Sequence, residues 1–429
     1  IGIVHAGYRS SPSELEFLVT HSEARALVFS RHTTEAVREV ATARPELELI
    51  VVDDVALSPR QHRYPEWARP FPSDFFCPGR DVSGDNVVYT SGTTGEPKGA
   101  VRDFARMGIV ELSRIGGRLP IHAGSRHLVV CPLYHSGAQA FATMLTALGG
   151  TLVLRPRFEA RDALEHLSRW QIHSVFMVPT MIRRILELEP AVLARHRTPS
   201  LRALLSGAAS FPDALRRRAI AQFGAAAVWD FYGATELGWI TLIDGREMQV
   251  RRGSVGRALE GHELCVRDAK GNELPPGRTG TIWVRTGQTM QGYLKNRRAT
   301  NAAQKDGWIT VDDLGALDDE GYLYLGGRDR DMVISGGVNI YPVEIEEVYA
   351  HHPGLRDVAV VGIADDEWGE RLVAFAVGEA DPAQLVSFGR ARLAAYKVPR
   401  EWIFVDELPR NATGKVLKRE LRDRVAGVK

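Results

Sequence analysis

A run of hydroxyl groups, glycines and one lysine occupies residues 89–99 (YTSGTTGEPKG). The glycines let backbone N–H groups converge, neighbouring hydroxyls donate to the same space, and Lys98 adds a mobile positive charge. These features predict a polyphosphate cradle, although the run alone would also suit a flexible surface turn. No Ser or Thr follows Lys98 to hold magnesium, so the run differs from a P-loop and indicates another ATP-binding architecture. The residues assigned to the cradle are Thr90, Ser91, Gly92, Thr93, Thr94, Gly95 and Lys98.

Apolar β-branched runs alternate with helical patterns through the first part of the chain. The apolar runs are residues 26–29, 49–52, 127–130, 151–154 and 174–177, and the helical patterns include 162–170 and 212–222. This alternation predicts buried parallel strands joined by helical crossovers. From Cys265 onward, short strands separated by Gly, Asn and Asp turns, such as 270–272 and 318–321, indicate a β-rich region.

The final segment combines an apolar strand at 358–361 with a helix at 342–350 and is long enough to form its own domain. We therefore predict an α/β protein. A large N-terminal domain over residues 1–327 would consist of parallel-rich sheets with helices plus a β-rich subdomain. A small α+β C-terminal domain would follow over residues 328–429.

Composition narrows the class of protein. The chain has 429 residues, 44% hydrophobic composition and a formal net charge of +1, as in a globular protein of two or more domains. The near-neutral charge gives no support for nucleic acid as a partner.

Cys77, Cys131 and Cys265 form no CxxC pair, which argues against a zinc site and fits a reducing cytosol. The sequence has no apolar run long enough to span a membrane and no signal peptide pattern at its start, so we expect a cytoplasmic protein.

Five further segments accompany the cradle run. They are residues 232–236 (YGATE), 308–315 (WITVDDLG), 327–331 (GRDRD), 335–346 (SGGVNIYPVEIE) and 409–415 (PRNATGK). In this order and spacing, the sequence resembles the adenylate-forming superfamily of acyl- and aryl-CoA synthetases, peptide-synthetase adenylation domains and beetle luciferases. The resemblance covers essentially the whole chain. It implies that ATP and a carboxylic acid form acyl-AMP and pyrophosphate, which requires charge neutralisation at the α-phosphate and an in-line carboxylate oxygen.

The resemblance implies a role for each residue around the nucleotide. Glu236 holds Mg²⁺ with its carboxylate, and Thr235 touches the α-phosphate. The other assignments are Tyr232 stacked on adenine, Asp230 accepting from its exocyclic amine, Gly233 in the tight turn, Ala208 where adenine and the acyl carbonyl approach, and Asp313 and Arg328 at the ribose hydroxyls. A solvated loop acid at Glu236 and a surface ion pair at Arg328 are the structural alternatives.

One position departs from the family pattern. The family usually carries Thr-Gly before the ribose aspartate, whereas this chain has Val311 and Asp312. The second carboxylate adds negative charge beside the nucleotide and alters the local turn. It also makes Asp312 an alternative to Asp313 as the acceptor for the ribose hydroxyls.

The resemblance gives the C-terminal domain a part in both half-reactions and makes it mobile. Lys415 bridges the acyl carboxylate and the α-phosphate during adenylation, and a compact cation on a mobile domain can then withdraw. Arg330 stands at the hinge of the domain rotation. Ser335, Gly336 and Gly337 form a glycine loop past which the pantetheine arm of CoA runs, with a simple turn between strands as the alternative.

The acid-binding pocket is less well defined by the sequence. His135 resembles a pocket-wall position that guards the carboxylate or the thiol channel, with a satisfied core histidine as the alternative. Residues 177–180, Trp239 and Ile240 would supply apolar walls. These walls favour a hydrophobic acid.

We therefore predict an ATP-dependent acid–CoA ligase that forms acyl-AMP and then acyl-CoA, with ATP, Mg²⁺ and coenzyme A as cofactors. The alternatives are an acyl-AMP ligase that loads the phosphopantetheine of an acyl carrier protein, and a nucleotide-binding protein without catalysis. A homodimer is compatible with this prediction. Residues 5–12 match a segment that family members carry further along the chain, so we expect that several tens of N-terminal residues of the family pattern are absent.

Overall fold

The computed structural model describes residues 2–53, 61–70, 85–90, 97–103, 117–328, 331–335, 338–365, 368–411 and 414–426. Its α-helices are α1 (Pro12–Ser22), α2 (Thr34–Ala43), α3 (Tyr64–Ala68), α4 (Ser136–Ala147), α5 (Ala160–Arg169), α6 (Pro179–Leu186), α7 (Pro190–Arg195), α8 (Asp213–Phe223), α9 (Gly245–Val250), α10 (Arg297–Ala303), α11 (Pro342–Tyr349), α12 (Pro382–Arg390) and α13 (Lys418–Ala426). None of the helices in these ranges is long and apolar enough to cross a lipid bilayer.

The strands are β1 (Ile3–His5), β2 (Ala26–Phe29), β3 (Glu48–Val51), β4 (Gln61–Arg63), β5 (Asp85–Thr90), β6 (Lys98–Asp103), β7 (Arg126–Val129), β8 (Thr151–Leu154), β9 (Ser174–Met177), β10 (Ala203–Ser206), β11 (Val228–Ala234), β12 (Gly238–Asp244), β13 (Ser254–Ala258), β14 (Glu263–Arg267), β15 (Gly280–Arg285), β16 (Gly292–Tyr293), β17 (Gln304–Lys305), β18 (Trp308–Ile309), β19 (Asp313–Leu317), β20 (Tyr322–Arg328), β21 (Val333–Ser335), β22 (Val338–Ile340), β23 (Leu355–Asp365), β24 (Gly369–Gly378) and β25 (Glu401–Phe404).

The described residues fall into two compact units. The first holds the described parts of residues 1–108 with 134–136 and 290–301, and the second holds those of 109–133, 137–289 and 302–429. In the first unit, one sheet has the order β1-β5-β6-β16 and another has the order β2-β3-β4. Helices α1 and α2 share an apolar core with β2 and β3.

A thirteen-stranded mixed sheet is the largest element of the second unit. Its strands β8, β7, β9, β10 and β11 run parallel, and from β11 to β12 the pairing becomes antiparallel. Helices α5, α6 and α8 pack on the parallel strands through residues such as Leu164, Ile182 and Leu215. The prediction of parallel strands with helical crossovers is confirmed here, since α5 and α8 coincide with the predicted helices to within two residues at each end.

Three of the predicted buried parallel strands have different surroundings. Strands β2 and β3 are parallel but belong to the small three-stranded sheet of the first unit, and β8 lies at the edge of the large sheet with its residues half-exposed or exposed. An apolar run reports the tendency to form a strand and not the number of its neighbours. Sequence periodicity therefore could not distinguish these strands from the central ones.

The C-terminal sheet has the order β22-β21-β24-β23, and β25 pairs in parallel with β24. Alternate residues point to opposite faces, so Val360 and Ala374 pack with α11 and α12, while Val361 and Phe375 pack with α13. Because both faces are covered, the central parts of β23 and β24, residues 358–363 and 372–377, are apolar. The predicted helix at 342–350 is confirmed as α11. The division at residues 327 and 328 stays a prediction, because the large sheet and the C-terminal sheet both belong to the second unit.

Candidate active site

Three predicted segments leave the large sheet at one edge. The backbone register pairs Ser206 with Met177 on one side and with Asp230 on the other. Because β9, β10 and β11 are parallel, the residues that follow these positions emerge at the same edge. Ligands of open α/β sheets bind at the carboxyl ends of the strands. The edge therefore gathers the predicted acyl wall at residues 177–180, the turn of small residues at 206–209 (SGAA) and the YGATE segment.

Glu236 lies in a tight turn between β11 and β12, flanked by Thr235 and Leu237. Glu236 is 8% exposed, so it is not a solvated loop acid. A Cβ on Gly233 would lie 2.2 Å from the carbonyl oxygen of Gly238, so only glycine fits this hairpin. The turn therefore holds a buried carboxylate at the edge of the sheet.

Two residues predicted for the nucleotide are in direct contact. The hydroxyl of Tyr232 donates to Oδ2 of Asp313 at 2.9 Å, and both side chains are buried. Asp313 and Arg328 are backbone partners across β19 and β20. The structure thus brings together the residues assigned to adenine and ribose, while their roles stay predictions.

Asp312 occupies a left-handed backbone conformation with φ of 60°. Glycine adopts this region at no steric cost, and Asp and Asn tolerate it better than other residues. This geometry explains why a family glycine can be replaced by aspartate here. Since Tyr232 bonds to Asp313 and not to Asp312, Asp313 is the better candidate for the ribose.

The turn after β10 is shaped by its small residues. A Cβ on Gly207 would lie 2.6 Å from the ring of Phe231. Ala208 has φ of 65°, which is uncommon for a residue with a side chain. The glycine is therefore needed for close packing on Phe231, and the predicted approach of adenine at Ala208 stays a prediction.

Asp230 is paired with an arginine that the sequence analysis did not identify. Nη2 of Arg216 donates to Oδ2 of Asp230 at 2.6 Å, and each side chain is 4% exposed. Nη1 of Arg216 donates to the carbonyl oxygen of Ser254 at 2.6 Å. Burial raises the pKa of Asp230 to about 6, and the guanidinium opposes that shift. The carboxylate thus has a structural partner besides the adenine amine predicted for it.

The turn that carries Lys415 packs on the predicted acyl wall. Gly414 has φ of 76°, and a Cβ there would lie 2.8 Å from Oγ1 of Thr180 and 3.0 Å from Cγ2 of Val178. The Lys415 backbone N–H donates to Oδ1 of Asn411 at 2.9 Å. The predicted catalytic lysine is therefore on a turn that contacts the carboxyl end of β9.

An aromatic cluster adjoins the same edge. The rings of Phe141 and Trp239 lie 4.2 Å apart between centroids, and Phe176 and Phe231 pack with them at 5.5 to 5.9 Å. Trp239 was predicted as an apolar wall, and Ile240 and Met177 are fully buried. Phe141 and Phe176 are buried, whereas Phe231 and Trp239 are partly exposed, so the two partly exposed rings provide the apolar surface of this cluster.

The first unit contains the flanks of the phosphate cradle. Thr90 and Lys98 are paired at the ends of β5 and β6, and Nζ of Lys98 lies 5.4 Å from the ring centroid of Tyr293. The cradle residues Ser91, Gly92, Thr93, Thr94 and Gly95 lie outside the described residues. The antiparallel pair confirms only that the two flanking segments are neighbours.

His135, also in the first unit, has a buried Nε2 that makes no hydrogen bond within the described part of the chain. Burial lowers the pKa of His135 to about 4, so the imidazole is neutral near pH 7. Its ring lies 4.2 Å from that of Tyr134 between centroids. These features differ from those of a satisfied core histidine, and the pocket-wall role stays a prediction.

The structure describes only some of the remaining predicted residues. Ser335 and Val338 are paired at the ends of β21 and β22, and Gly336, Gly337 and Arg330 lie outside the described residues. Cys131 and Cys265 are free and buried. Across the described ranges, no group of three or more His, Cys, Asp or Glu side chains is arranged to hold a metal ion.

Two family profiles match the chain. The AMP-binding enzyme profile matches residues 3–294, and the AMP-binding enzyme C-terminal domain profile matches residues 344–415. The chain belongs to the AMP-binding enzymes. The predicted adenylate-forming superfamily is thereby confirmed.

Named relatives support the same assignment. Indoleacetate–CoA ligase of Aromatoleum aromaticum is 36% identical over 351 residues, covering 79% of this chain and 67% of the relative. The fatty acid–[acyl-carrier-protein] ligase ScoC of Streptomyces coeruleorubidus is 32% identical over 439 residues, covering 99% of this chain and 82% of the relative. The solved anthranilate CoA ligase AuaEII in complex with anthranoyl-AMP has a TM-score of 0.88 at 25% identity, covering 99% of this chain and 83% of that one. The α/β fold with a smaller C-terminal domain and the predicted class of AMP-forming ligase are confirmed.

Replacing Arg216 with Met should lower the free energy of unfolding by about 3–5 kcal/mol at pH 8, because a buried carboxylate loses its partner. The pKa of Asp230 already rises from 3.8 to about 6 on folding, and loss of the guanidinium raises it further. An acid whose pKa rises on folding destabilises the folded state as pH climbs through that interval. The loss should therefore be smaller at pH 5, as urea unfolding at both pH values would measure.

The matched control is Arg285→Met, which removes an ion pair with Glu263 whose side chains are about half exposed. Its effect on the free energy of unfolding should be small, because solvent screens an exposed pair, and should be equal at both pH values. A loss for Arg216→Met that does not change between pH 5 and pH 8 would contradict the buried-charge explanation.

Replacing Asp312 with Val should destabilise the protein by more than about 1 kcal/mol, since a β-branched residue at positive φ is strained. Asp312→Gly should be neutral or stabilising. The Val variant should also raise the KM for ATP, because the turn sets the position of Asp313, the predicted acceptor for the ribose hydroxyls. Thermal unfolding and steady-state kinetics measure the two effects.

Asp306 provides the control, because it also has positive φ (52°) and is exposed. Asp306→Val should cost similar stability and leave the KM for ATP unchanged. Equal changes of that KM in both Val variants would show that strain alone, and not the position of Asp313, is responsible.

Proposed function

We propose that this chain activates a hydrophobic carboxylic acid as its acyl adenylate and transfers the acyl group to the thiol of CoA. The observation that carries the proposal is the packing of the Lys415 turn on Val178 and Thr180. This contact brings the backbone of the Lys415 turn close to the edge where the turn of residues 206–209 and the YGATE turn also emerge. A lysine that reaches this edge can contact both an acid carboxylate and an α-phosphate.

In the first half-reaction, the acid carboxylate attacks the α-phosphorus of ATP and pyrophosphate leaves. Lys415 would neutralise charge on both oxygens as they approach, and Thr235 would donate to the α-phosphate. Tyr232 would stack on adenine, and Asp313 with Arg328 would hold the ribose. The hydrogen bond between Tyr232 and Asp313 supports this arrangement, because it fixes the two side chains relative to each other.

Mg²⁺ fits the chemistry of the Glu236 turn. Magnesium in nucleotide enzymes takes one or two carboxylates, phosphate oxygens and waters, and needs no cage made wholly of protein. A single buried carboxylate beside the predicted α-phosphate contact is sufficient for that role. We therefore assign Glu236 as the protein ligand of the ion.

The acid is proposed to be hydrophobic, and an aromatic acid fits well. Phe231 and Trp239 are partly exposed and are backed by the buried rings of Phe141 and Phe176, and aromatic rings bind flat apolar groups well. Indoleacetate and anthranilate, named for two of the relatives, are both aromatic acids.

In the second half-reaction, the thiol of CoA attacks the acyl carbonyl and AMP leaves. The glycine loop after Ser335 would border the route of the pantetheine arm. A carrier-protein phosphopantetheine is the alternative acceptor, supported by the likeness to a fatty acid–[acyl-carrier-protein] ligase. We also propose a cytoplasmic location, where ATP and CoA are available; a homodimer stays a prediction.

The decisive experiment measures acid-dependent ATP–pyrophosphate exchange over aromatic and aliphatic acids, with CoA or a holo carrier protein as acceptor. Lys415→Ala should reduce exchange by about 100-fold or more and largely spare thioester formation from supplied acyl-AMP. Lys397→Ala, which removes a lysine paired with Glu344, should change neither half-reaction.

Equal loss of both half-reactions in folded Lys415→Ala protein would contradict separate use of the lysine. Acylation of the carrier protein without acyl-CoA would establish the alternative acceptor. Absence of exchange with every acid would support the non-catalytic alternative.

Glu236→Gln should raise the magnesium concentration needed for half-maximal exchange and slow acyl-AMP formation by orders of magnitude. The expected loss of transition-state stabilisation is about 3 kcal/mol. Glu260→Gln, a change at an exposed position, is the control. A magnesium titration of Glu236→Gln that matches the wild type would remove Glu236 from the metal site.

A further inference from the structure

A chain of three charged side chains joins helix α6 to the turn that carries Lys415. Nη1 of Arg183 donates to the carbonyl oxygen of Arg356 at 2.5 Å and lies 3.3 Å from Oδ1 of Asp357. The other carboxylate oxygen of Asp357 pairs with Nη2 of Arg410. Nη1 of Arg410 then donates to the carbonyl oxygen of Gly414 at 2.5 Å, one residue before Lys415.

The three charged side chains are shielded enough from solvent for their contacts to constrain their relative positions. The side chains of Arg183, Asp357 and Arg410 are 19%, 19% and 22% exposed. Hydrogen bonds between charged groups are stronger than neutral ones, and a guanidinium donates along fixed directions. One carboxylate held by two arginines therefore fixes the position of each relative to the other.

Arg410 stabilises the turn from one side. The backbone N–H of Asn411 donates to the carbonyl oxygen of Lys415 at 2.9 Å, and Arg410 and Val416 form an isolated antiparallel bridge. Because Arg410 also binds the carbonyl oxygen of Gly414, its guanidinium spans the turn. The backbone from which the Lys415 side chain departs is thus tied to Asp357.

Arg183 connects this arrangement to the large sheet. Helix α6 begins at Pro179, directly after β9, and the Lys415 turn packs on Val178 and Thr180 at the same place. The ionic bridge and the packing contact therefore hold the turn at two points. Both contacts require the C-terminal sheet to lie in this position relative to helix α6.

We propose that Arg183, Asp357 and Arg410 form a positioning bridge that holds Lys415 for acyl-AMP formation and opens for thioester formation. The inference rests on the proposed function of Lys415 in the first half-reaction. Arg410 acts through Lys415 and is a positioning residue. The bridge would make the contact between α6 and the C-terminal sheet specific to one half-reaction.

The test compares Arg410→Met, Arg183→Met and Arg410→Lys in both half-reactions. Arg410→Met and Arg183→Met should lower the kcat of ATP–pyrophosphate exchange by about 10- to 100-fold, because a displacement of about 1 Å has effects of that size. The KM for ATP and thioester formation from supplied acyl-AMP should stay near wild type. Arg410→Lys should retain part of the exchange, since an ammonium keeps the charge but not the fork of donors.

Two comparisons separate positioning from general stability. In the Lys415→Ala background, Arg410→Met should cause no further loss of exchange. Arg371→Met removes an ion pair with Glu401 in the C-terminal sheet and should leave both half-reactions unchanged. A further loss in the Lys415→Ala background, or equal loss of both half-reactions in a folded variant, would overturn the inference.

Hydrogen exchange of the amides of Gly414 and Lys415 gives a readout that does not require activity. Hydrogen exchange at these two amides should be faster in Arg410→Met than in wild type and unchanged in Arg371→Met. Unchanged exchange in Arg410→Met would overturn the bridge whatever the activity. If wild type forms no acyl-AMP with any acid, the proposed function fails, and this measurement still decides whether Arg410 holds the turn.

Discussion

The lateral register of three parallel strands is the constraint on which the rest of the site depends. Met177, Ser206 and Asp230 are aligned across β9, β10 and β11, so the polar turns beyond them share one edge. A slip of one residue would turn Asp230 toward the aromatic face occupied by Phe231. The backbone hydrogen bonds of the sheet therefore position the turns before any side chain of the site acts.

The buried pair of Asp230 and Arg216 shows what this edge requires. An isolated carboxylate at such a depth would shift its pKa and lose its charge, and the guanidinium keeps the charged form accessible. The same arginine also satisfies the carbonyl oxygen of Ser254, which ties β13 to α8. The pair thus connects the parallel and antiparallel parts of the large sheet and supports the strand that ends in the YGATE turn.

The sequence was informative where chemistry is local and uninformative where partners are distant. Glycines such as Gly233 and the order of the motifs predicted the turns, and apolar runs predicted the strands. Arg216 could not be matched to Asp230, because helical periodicity gives the face of a residue but not the strand beneath it. Arg183 and Arg410 are far apart in the sequence, and the chain has 54 Lys and Arg residues. No sequence pattern identifies these two as the partners of Asp357.

The two-sided burial of β23 and β24 has a consequence for synthesis of the chain. One face is covered by α13, which contributes Leu421 and packs on Val361 and Phe375. Helix α13 follows all five strands of this sheet in the chain, so a ribosome delivers the strands before their cover. During that interval, two long apolar strands present an open face of the kind that self-associates. The speed of translation between β25 and α13, and chaperone access during that interval, should therefore influence the yield of folded protein.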